Sequence, residues 1–328
     1  MSRRTAIRTL AFLAGACLLS QALAQEKSRL KRIGFHNSAS ASTISGSIDS
    51  FRKGMAAHGW VEGRDYFIDA RFADNRAELI ESIAADLVAA KPDLLVAAGD
   101  NSTRALFRRT KTIPIVFAIS SDPIGSGYAS TLVRPGGNIT GLTSLAPDLA
   151  AKRLQLLREV SPRLTHVGLL FNGSEAQARG QLKAYEEVAG KLNLRLSFLE
   201  VKQAEDIAPA IARAAELRAG ALALTQGPFL NSSSAAIARA AVAARLPTIA
   251  PFNRDADEGM LMAYAPDILE NFRLAAGYAD RILKGAKPGE LAIEQPSRFE
   301  FAVNARTAKA IGVKIPPSIL VRADRIIE

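Results

Sequence analysis

The strongest constraint on this chain is a rhythm. From residue 31 short apolar runs alternate with stretches of helical period, and the alternation runs through the chain twice. Lys31–His36 reads as a strand, and Ile44, Ile48, Phe51 and Met55 then recur at helical spacing until Gly59 and Gly63 stop the helix. Tyr66–Phe72, Leu94–Ala98 and Pro114–Ile119 follow as strands, with helices over 79–87 and Asn101–Arg109 between them. After residue 142 the pattern restarts, with strands at Val167–Phe171, Leu194–Val201, Ala221–Thr225 and Pro247–Ala250. A strand at Met260–Tyr264, a long helix at Ile268–Leu283 and a strand at Phe299–Val303 complete it. Near-continuous apolar strands separated by amphipathic helices specify parallel sheets covered on both faces. Two such arrays specify an α/β chain of two Rossmann-like lobes. The segments 142–147, 254–259 and 285–296 carry the Pro, Gly and charge suited to lobe crossings, which predicts a three-crossing hinge. Lobe 1 is then 29–141 plus 260–288, and lobe 2 is 142–259 plus 289–328.

Residues 1–24 stand outside this rhythm. Arg3, Arg4 and Arg8 precede the apolar run Leu10–Leu19, and Ala22-Leu23-Ala24 is a small-x-small cleavage site, so a signal peptide is expected with Gln25 as the mature N-terminus. This predicts export to the periplasm. Cleavage there removes Cys17, the one cysteine of the chain; cutting before Cys17 to make a lipoprotein is the lesser alternative, because Ala14-Gly15-Ala16 lacks the usual large apolar residue. The formal charge is +10, from 42 basic and 32 acidic residues. The basic residues are interspersed with acids, which describes a solvated surface, and no nucleic-acid partner is expected.

No catalytic constellation can be assembled from the sequence. The three histidines, His36, His58 and His166, have no partner at metal-ligand spacing. Gly125-Ser126-Gly127 falls short of a nucleophile elbow, and no glycine-rich dinucleotide fingerprint or P-loop is present. Neither cofactor nor metal is expected, and the chain is read as a binder rather than an enzyme.

What the sequence does offer is polar strand ends, where open α/β sheets bind their ligands. They are Phe35-His36-Asn37-Ser38, Gly99-Asp100-Asn101-Ser102-Thr103 and Ser120-Ser121-Asp122-Pro123 in the first array. In the second they are Phe171-Asn172-Gly173-Ser174, Thr225-Gln226-Gly227-Pro228 and Pro251-Phe252-Asn253-Arg254. Each precedes a helix, whose first N–H groups receive a carboxylate well. Asp100 and Asp122 suit an ammonium group, and Phe35, Phe171, Phe252 and Tyr264 suit an apolar or aromatic side chain. Singly, such Ser, Asn and Asp residues are ordinary helix caps worth ~1 kcal/mol; six together resemble the walls of a cleft.

Several stretches resemble one family of ABC-transporter substrate-binding proteins, the tryptophan/tyrosine type with a type 1 periplasmic-binding fold. They are Phe51–Gly63 (FRKGMAAHGWVEG), Ile113–Phe117, Asp122–Gly127, Arg134–Gly141 (RPGGNITG), Gly259–Asp267 (GMLMAYAPD), Ile282–Pro288, Val303-Asn304 and Ile315–Ser318. The resemblance implies a monomeric receptor that closes on a small polar solute, an amino acid or related compound, and hands it to an inner-membrane ABC permease. By position the ligand-binding residues are Ser38, Asp100, Asn101, Ser102, Ser120, Asp122, Asn172, Gln226, Phe252 and Tyr264. The chain departs from the family where Gly-Thr-Pro-Ala often follows the third strand: here it reads Gly99-Asp100-Asn101-Ser102. An acid at that mouth favours a cationic or amine-bearing solute. The rival classes are a secreted hydrolase using Asp100 or Asp122 as base, and a sensing module for a membrane receptor.

Overall fold

The computed structural model describes residues 29–41, 46–144 and 146–328. The signal peptide expected at 1–24, with Cys17, lies outside the described residues. The first array contains β1 (Lys31–Asn37), α1 (Ser47–Ala57), β2 (Tyr66–Phe72), α2 (Ala77–Ala89), β3 (Leu94–Ala98), α3 (Asp100–Arg109), β4 (Ile115–Ser120) and β5 (Ile139–Thr143). The second runs α4 (Ala146–Val160), β6 (His166–Phe171), α5 (Ala178–Lys191), β7 (Arg195–Glu200), α6 (Ile207–Glu216), β8 (Ala221–Leu224), α7 (Pro228–Ser232), α8 (Ser234–Ala243), β9 (Thr248–Ala250), α9 (Arg254–Asp257) and β10 (Met262–Pro266). The tail adds α10 (Ile268–Leu283), β11 (Phe299–Asn304), α11 (Ala305–Ile311), α12 (Pro317–Arg322) and β12 (Arg325–Ile327). No helix among the described residues is long and apolar enough to cross a membrane.

Five strands form one sheet in the order β2-β1-β3-β4-β5, all parallel. Seven form the other, β12-β11-β10-β9-β8-β6-β7. Each sheet carries an apolar layer on both faces. Phe35, Phe51 and Phe272 lie on one side of the first sheet, with Leu95, Leu106 and Phe117 on the other. This is what the near-continuous apolar strands demanded.

The structure redraws two sequence-based boundaries. Strand β10, assigned to lobe 1 within 260–288, pairs with β9 and β11 in the second sheet. The middle crossing therefore lies at Asp267, between β10 and α10, and not at 254–259, which holds α9. Strand β5, which the sequence did not mark as a strand, extends the first sheet at Ile139–Thr143 and runs into the segment 142–147 given to a crossing. The second sheet is also not wholly parallel: β10 and β11 are antiparallel, with Pro266 opposite Phe299. The chain leaves lobe 2 at the end of β10, visits lobe 1 as α10, and re-enters beside its point of exit. A strand that starts where its neighbour ended must run the other way.

Helix α10 is the piece that commits this excursion to lobe 1. Asp267 caps it by accepting from the Glu270 N–H at 3.1 Å. Phe272, Ala275, Ala276 and Ala279 then form a buried stripe against the first sheet. It packs on α1 at Gly54, where an added Cβ would lie 2.4 Å from the Arg273 carbonyl oxygen and 2.6 Å from the Ala276 Cβ. A Gly54→Val protein should therefore be about 1–3 kcal/mol less stable to urea, the usual range for overpacking; an unchanged unfolding midpoint would show that the two helices can part freely.

Candidate functional site

The carboxyl ends of the strands of both sheets face one interlobe cavity of about 270 Å³. Lobe 1 supplies Asn37, Gly99, Asp100, Ile119 and Ser121, lobe 2 supplies Gln177, Gln226, Pro228 and Phe252, and the second crossing supplies Asp267. Among the described residues, two hydrogen bonds join the lobes directly away from the crossings: the Ala176 N–H donates to Asn101 Oδ1 at 3.0 Å, and Asn75 Nδ2 donates to Ser232 Oγ at 3.1 Å. The lobes are thus in contact around the gap.

Asp100 opens α3 and is 5% exposed. Its Oδ1 accepts from Ser120 Oγ at 2.9 Å, and its Oδ2 accepts from Ser121 Oγ at 2.5 Å. The Ser121 N–H lies 3.1 Å from both oxygens. Burial pushes this carboxyl above its usual range, while the Ser121 and Ser120 donors pull it back. The preceding Gly99 has φ +96°, and a side chain there would meet nothing within 4 Å, so the backbone at the start of α3 is bare toward the gap.

Across from it, Gln226 is held at both backbone groups. Its N–H donates to Gln181 Oε1 at 2.6 Å, and its carbonyl accepts from Gln181 Nε2 at 2.7 Å and Gln177 Nε2 at 2.8 Å. Its side-chain Oε1 accepts from Ser144 Oγ at 3.2 Å, next to the first crossing. Glu175 lies behind this wall, accepting from the Phe229 N–H and from Gln177 Nε2, both at 3.0 Å. Burial drives its carboxyl up to about 8, and the charge of Asp100 from the facing lobe adds to the rise. A Cβ at Gly227 would fall 1.7 Å from Glu175 Oε2, so a larger residue there must displace the Glu175 carboxyl.

Of the ten residues picked from the sequence, Asp100, Gln226 and Phe252 line the cavity. Ser120 stands behind Asp100 as its hydrogen-bond donor, and Asn101 holds the lobes together through Ala176. The other five have different work or none visible in the wall. Ser38 and Ser102 are wholly buried and set back from it. Asp122 accepts from the Gly125 N–H at 2.8 Å and shapes a local turn. Asn172 accepts from the N–H and hydroxyl of Ser174, again a local turn. Tyr264 stacks on Phe299 at 5.8 Å, half-buried against the lobe 2 core. Phe35 and Phe171 are likewise packed against their own lobes, on Phe51 and Phe198. The sequence reading missed Asn37, Gln177, Asn231, Asn253 and Glu300. Asn37 and Asn253 sat in the polar strand ends already singled out, one residue from the positions chosen.

The family model for the ABC transporter substrate binding protein matches residues 36–327 of this chain. The chain belongs to that family. This substrate-binding protein is similar, at 24% identity over 290 residues, to a tyrosine-binding protein of Clostridioides difficile (strain R20291), covering 88% of this chain and 83% of that one. A conserved domain protein from Vibrio cholerae has the same fold, with a TM-score of 0.86 at 25% identity over 91% of this chain and all of that one. So does a domain from Streptococcus pneumonia solved in complex with L-Trp, with a TM-score of 0.85 at 22% identity over 91% of this chain and 100% of that one. The substrate-binding protein therefore has the type 1 periplasmic-binding fold. Members of the family bind small solutes and work with ABC permeases outside the cytoplasmic membrane.

Proposed function

We propose that this substrate-binding protein is the exported receptor of an ABC importer. Its two lobes close on an amino acid with an apolar or aromatic side chain, which is delivered to an inner-membrane permease. The observation that carries this is the cavity between the touching lobes, whose wall joins an apolar surface (Phe252, Ile119, Pro228, Pro266, Ile268, Leu269) to a polar corner around Asp100. A mostly apolar pocket with a few placed polar groups is what a small ligand with one charged end requires. The tyrosine-binding relative and the L-Trp complex support the same solute class. The signal peptide expected at 1–24 supports release into the periplasm, with the receptor acting as a monomer. Micromolar affinity needs only about −8 kcal/mol, within reach of a few charge-assisted hydrogen bonds and one buried ring.

The test is native mass spectrometry of protein purified from cells, followed by calorimetry with the twenty amino acids. Recovery of an intact amino acid that rebinds is the expected result. A chemically altered compound would favour the hydrolase reading, and failure to bind any of the twenty would sink the amino-acid assignment.

A further inference from the structure

Among the described residues, four side chains in the cavity wall carry a buried polar atom with no hydrogen-bond partner, and they divide by lobe. The wall of lobe 2 presents Gln177 Oε1, Asn231 Oδ1 and Asn253 Oδ1, all acceptors. The wall of lobe 1 presents Asn37 Nδ2, a donor. Two of these residues are more than nine-tenths buried, Asn37 at 0% and Gln177 at 7% exposure.

Both of these amides are fixed by bonds made with their other end. Gln177 Nε2 donates to Glu175 Oε2 at 3.0 Å and to the Gln226 carbonyl at 2.8 Å. Two bonds use both of its hydrogens, so Oε1 must be the unpaired atom. Asn37 Oδ1 accepts from the Ala39 N–H at 2.9 Å, which leaves Nδ2 as the unpaired donor. In the sheet Asn37 sits opposite Ala98, beside Gly99 and the bare start of α3. A buried polar group left unpaired is costly, so each of these atoms selects for a complementary group on whatever fills the cavity.

We infer that Asn37 and Gln177 read the two charged ends of a zwitterionic α-amino acid, Asn37 donating to its carboxylate and Gln177, with Asp100, accepting from its ammonium. This rests on the amino-acid reading above and specifies its chemistry. Carboxylate and ammonium are adjacent on an α-carbon, and here one donor beside a helix start lines the same cavity as two acceptors. Glu175 is the positioning residue: by accepting from Gln177 Nε2 it turns the Gln177 carbonyl into its role.

The test uses calorimetry with L-tyrosine, its des-amino analogue 3-(4-hydroxyphenyl)propionate and its des-carboxy analogue tyramine. Wild-type protein should bind either analogue at least about thirtyfold more weakly than L-tyrosine. Gln177→Met should weaken L-tyrosine about tenfold or more and leave the propionate unchanged; Asn37→Asp, which sets an acid against the solute carboxylate, should weaken L-tyrosine about tenfold or more and leave tyramine bound at least as tightly as before. Where an analogue binds wild type too weakly to measure, the drop in L-tyrosine affinity at an unaltered melting temperature is the required result. A variant that weakens all three compounds equally, or none, overturns the inference in favour of a packing role. If L-tyrosine does not bind, the same series is built on the solute recovered from cells. A recovered solute lacking either charged end overturns the inference and leaves the receptor reading intact, whereas a protein that binds none of the twenty amino acids fails that reading first.

Discussion

Asp100→Ala should lower solute affinity about 100-fold or more. The carboxylate organises a whole corner of the cavity, since it accepts from the Ser120 and Ser121 hydroxyls and from the Ser121 N–H. Truncation leaves those donors buried and unpaired, at roughly 1–3 kcal/mol each. It also removes the negative charge that faces the gap, and hydrogen bonds to charged groups are worth roughly 1.5–3 kcal/mol. At about 1.4 kcal/mol per tenfold, the lost charge alone is worth roughly one to two decades, and the disturbed corner adds to it.

Asp100→Asn separates the two contributions. It keeps the volume and one acceptor oxygen but removes the charge. An amine-bearing solute should therefore bind the Asn protein poorly, even though the Ser120–Ser121 turn is kept. Calorimetry beside thermal melts decides the matter. Unaltered affinity in the Ala protein would remove Asp100 from the site, and a lower melting point with intact affinity would reduce it to a loop brace.

Legibility from sequence followed the physics of each signal. Strands β2 and β3 and helix α10 were placed to the residue, because apolar runs and a 3.6 period report burial directly. Strand β5 was missed, since Ile139–Thr143 is short and carries Thr and Gly, and its burial comes from the neighbouring chain at Leu291–Glu294. The lobe given to β10 was misjudged because both sheets bury such a strand equally; only pairing decides it. For the site, the strand-end rule led to the loops that border the cavity, with Asp100, Gln226 and Phe252 in its wall and the other chosen side chains outside it. Strand β1 is buried on both faces toward its end, so period 2 cannot say whether Asn37 or Ser38 meets the gap. Gln177 was unreadable for a different reason. Its role comes from Glu175 and the Gln226 carbonyl, contacts made by a turn and by a residue 49 positions away.

The second large effect is on pH. From pH 5 to pH 9 the protein should lose stability, on the order of a few kcal/mol. Burial pushes Glu175 from an ordinary 4.5 up to about 8, and Asp255 from 3.8 up to about 7. Below the ordinary carboxyl range both the folded and unfolded chains hold these protons, and nothing is lost. As pH rises through that range the unfolded chain releases them while the folded one keeps them, so unfolding gains with each pH unit. The loss levels off once pH passes the folded-state values. Carboxylates paired with arginine, such as Asp69 with Arg71 and Glu270 with Arg273, are shifted the other way and protect above about pH 4. Stability should therefore peak in mildly acidic solution. Urea titrations across pH would show it, and Glu175→Gln should flatten the decline between pH 5 and pH 8; a slope that the Gln protein reproduces in full would clear Glu175 of the effect. Part of the rise in Glu175 comes from Asp100 on the facing lobe, so part of its hold on the proton exists only while the lobes meet.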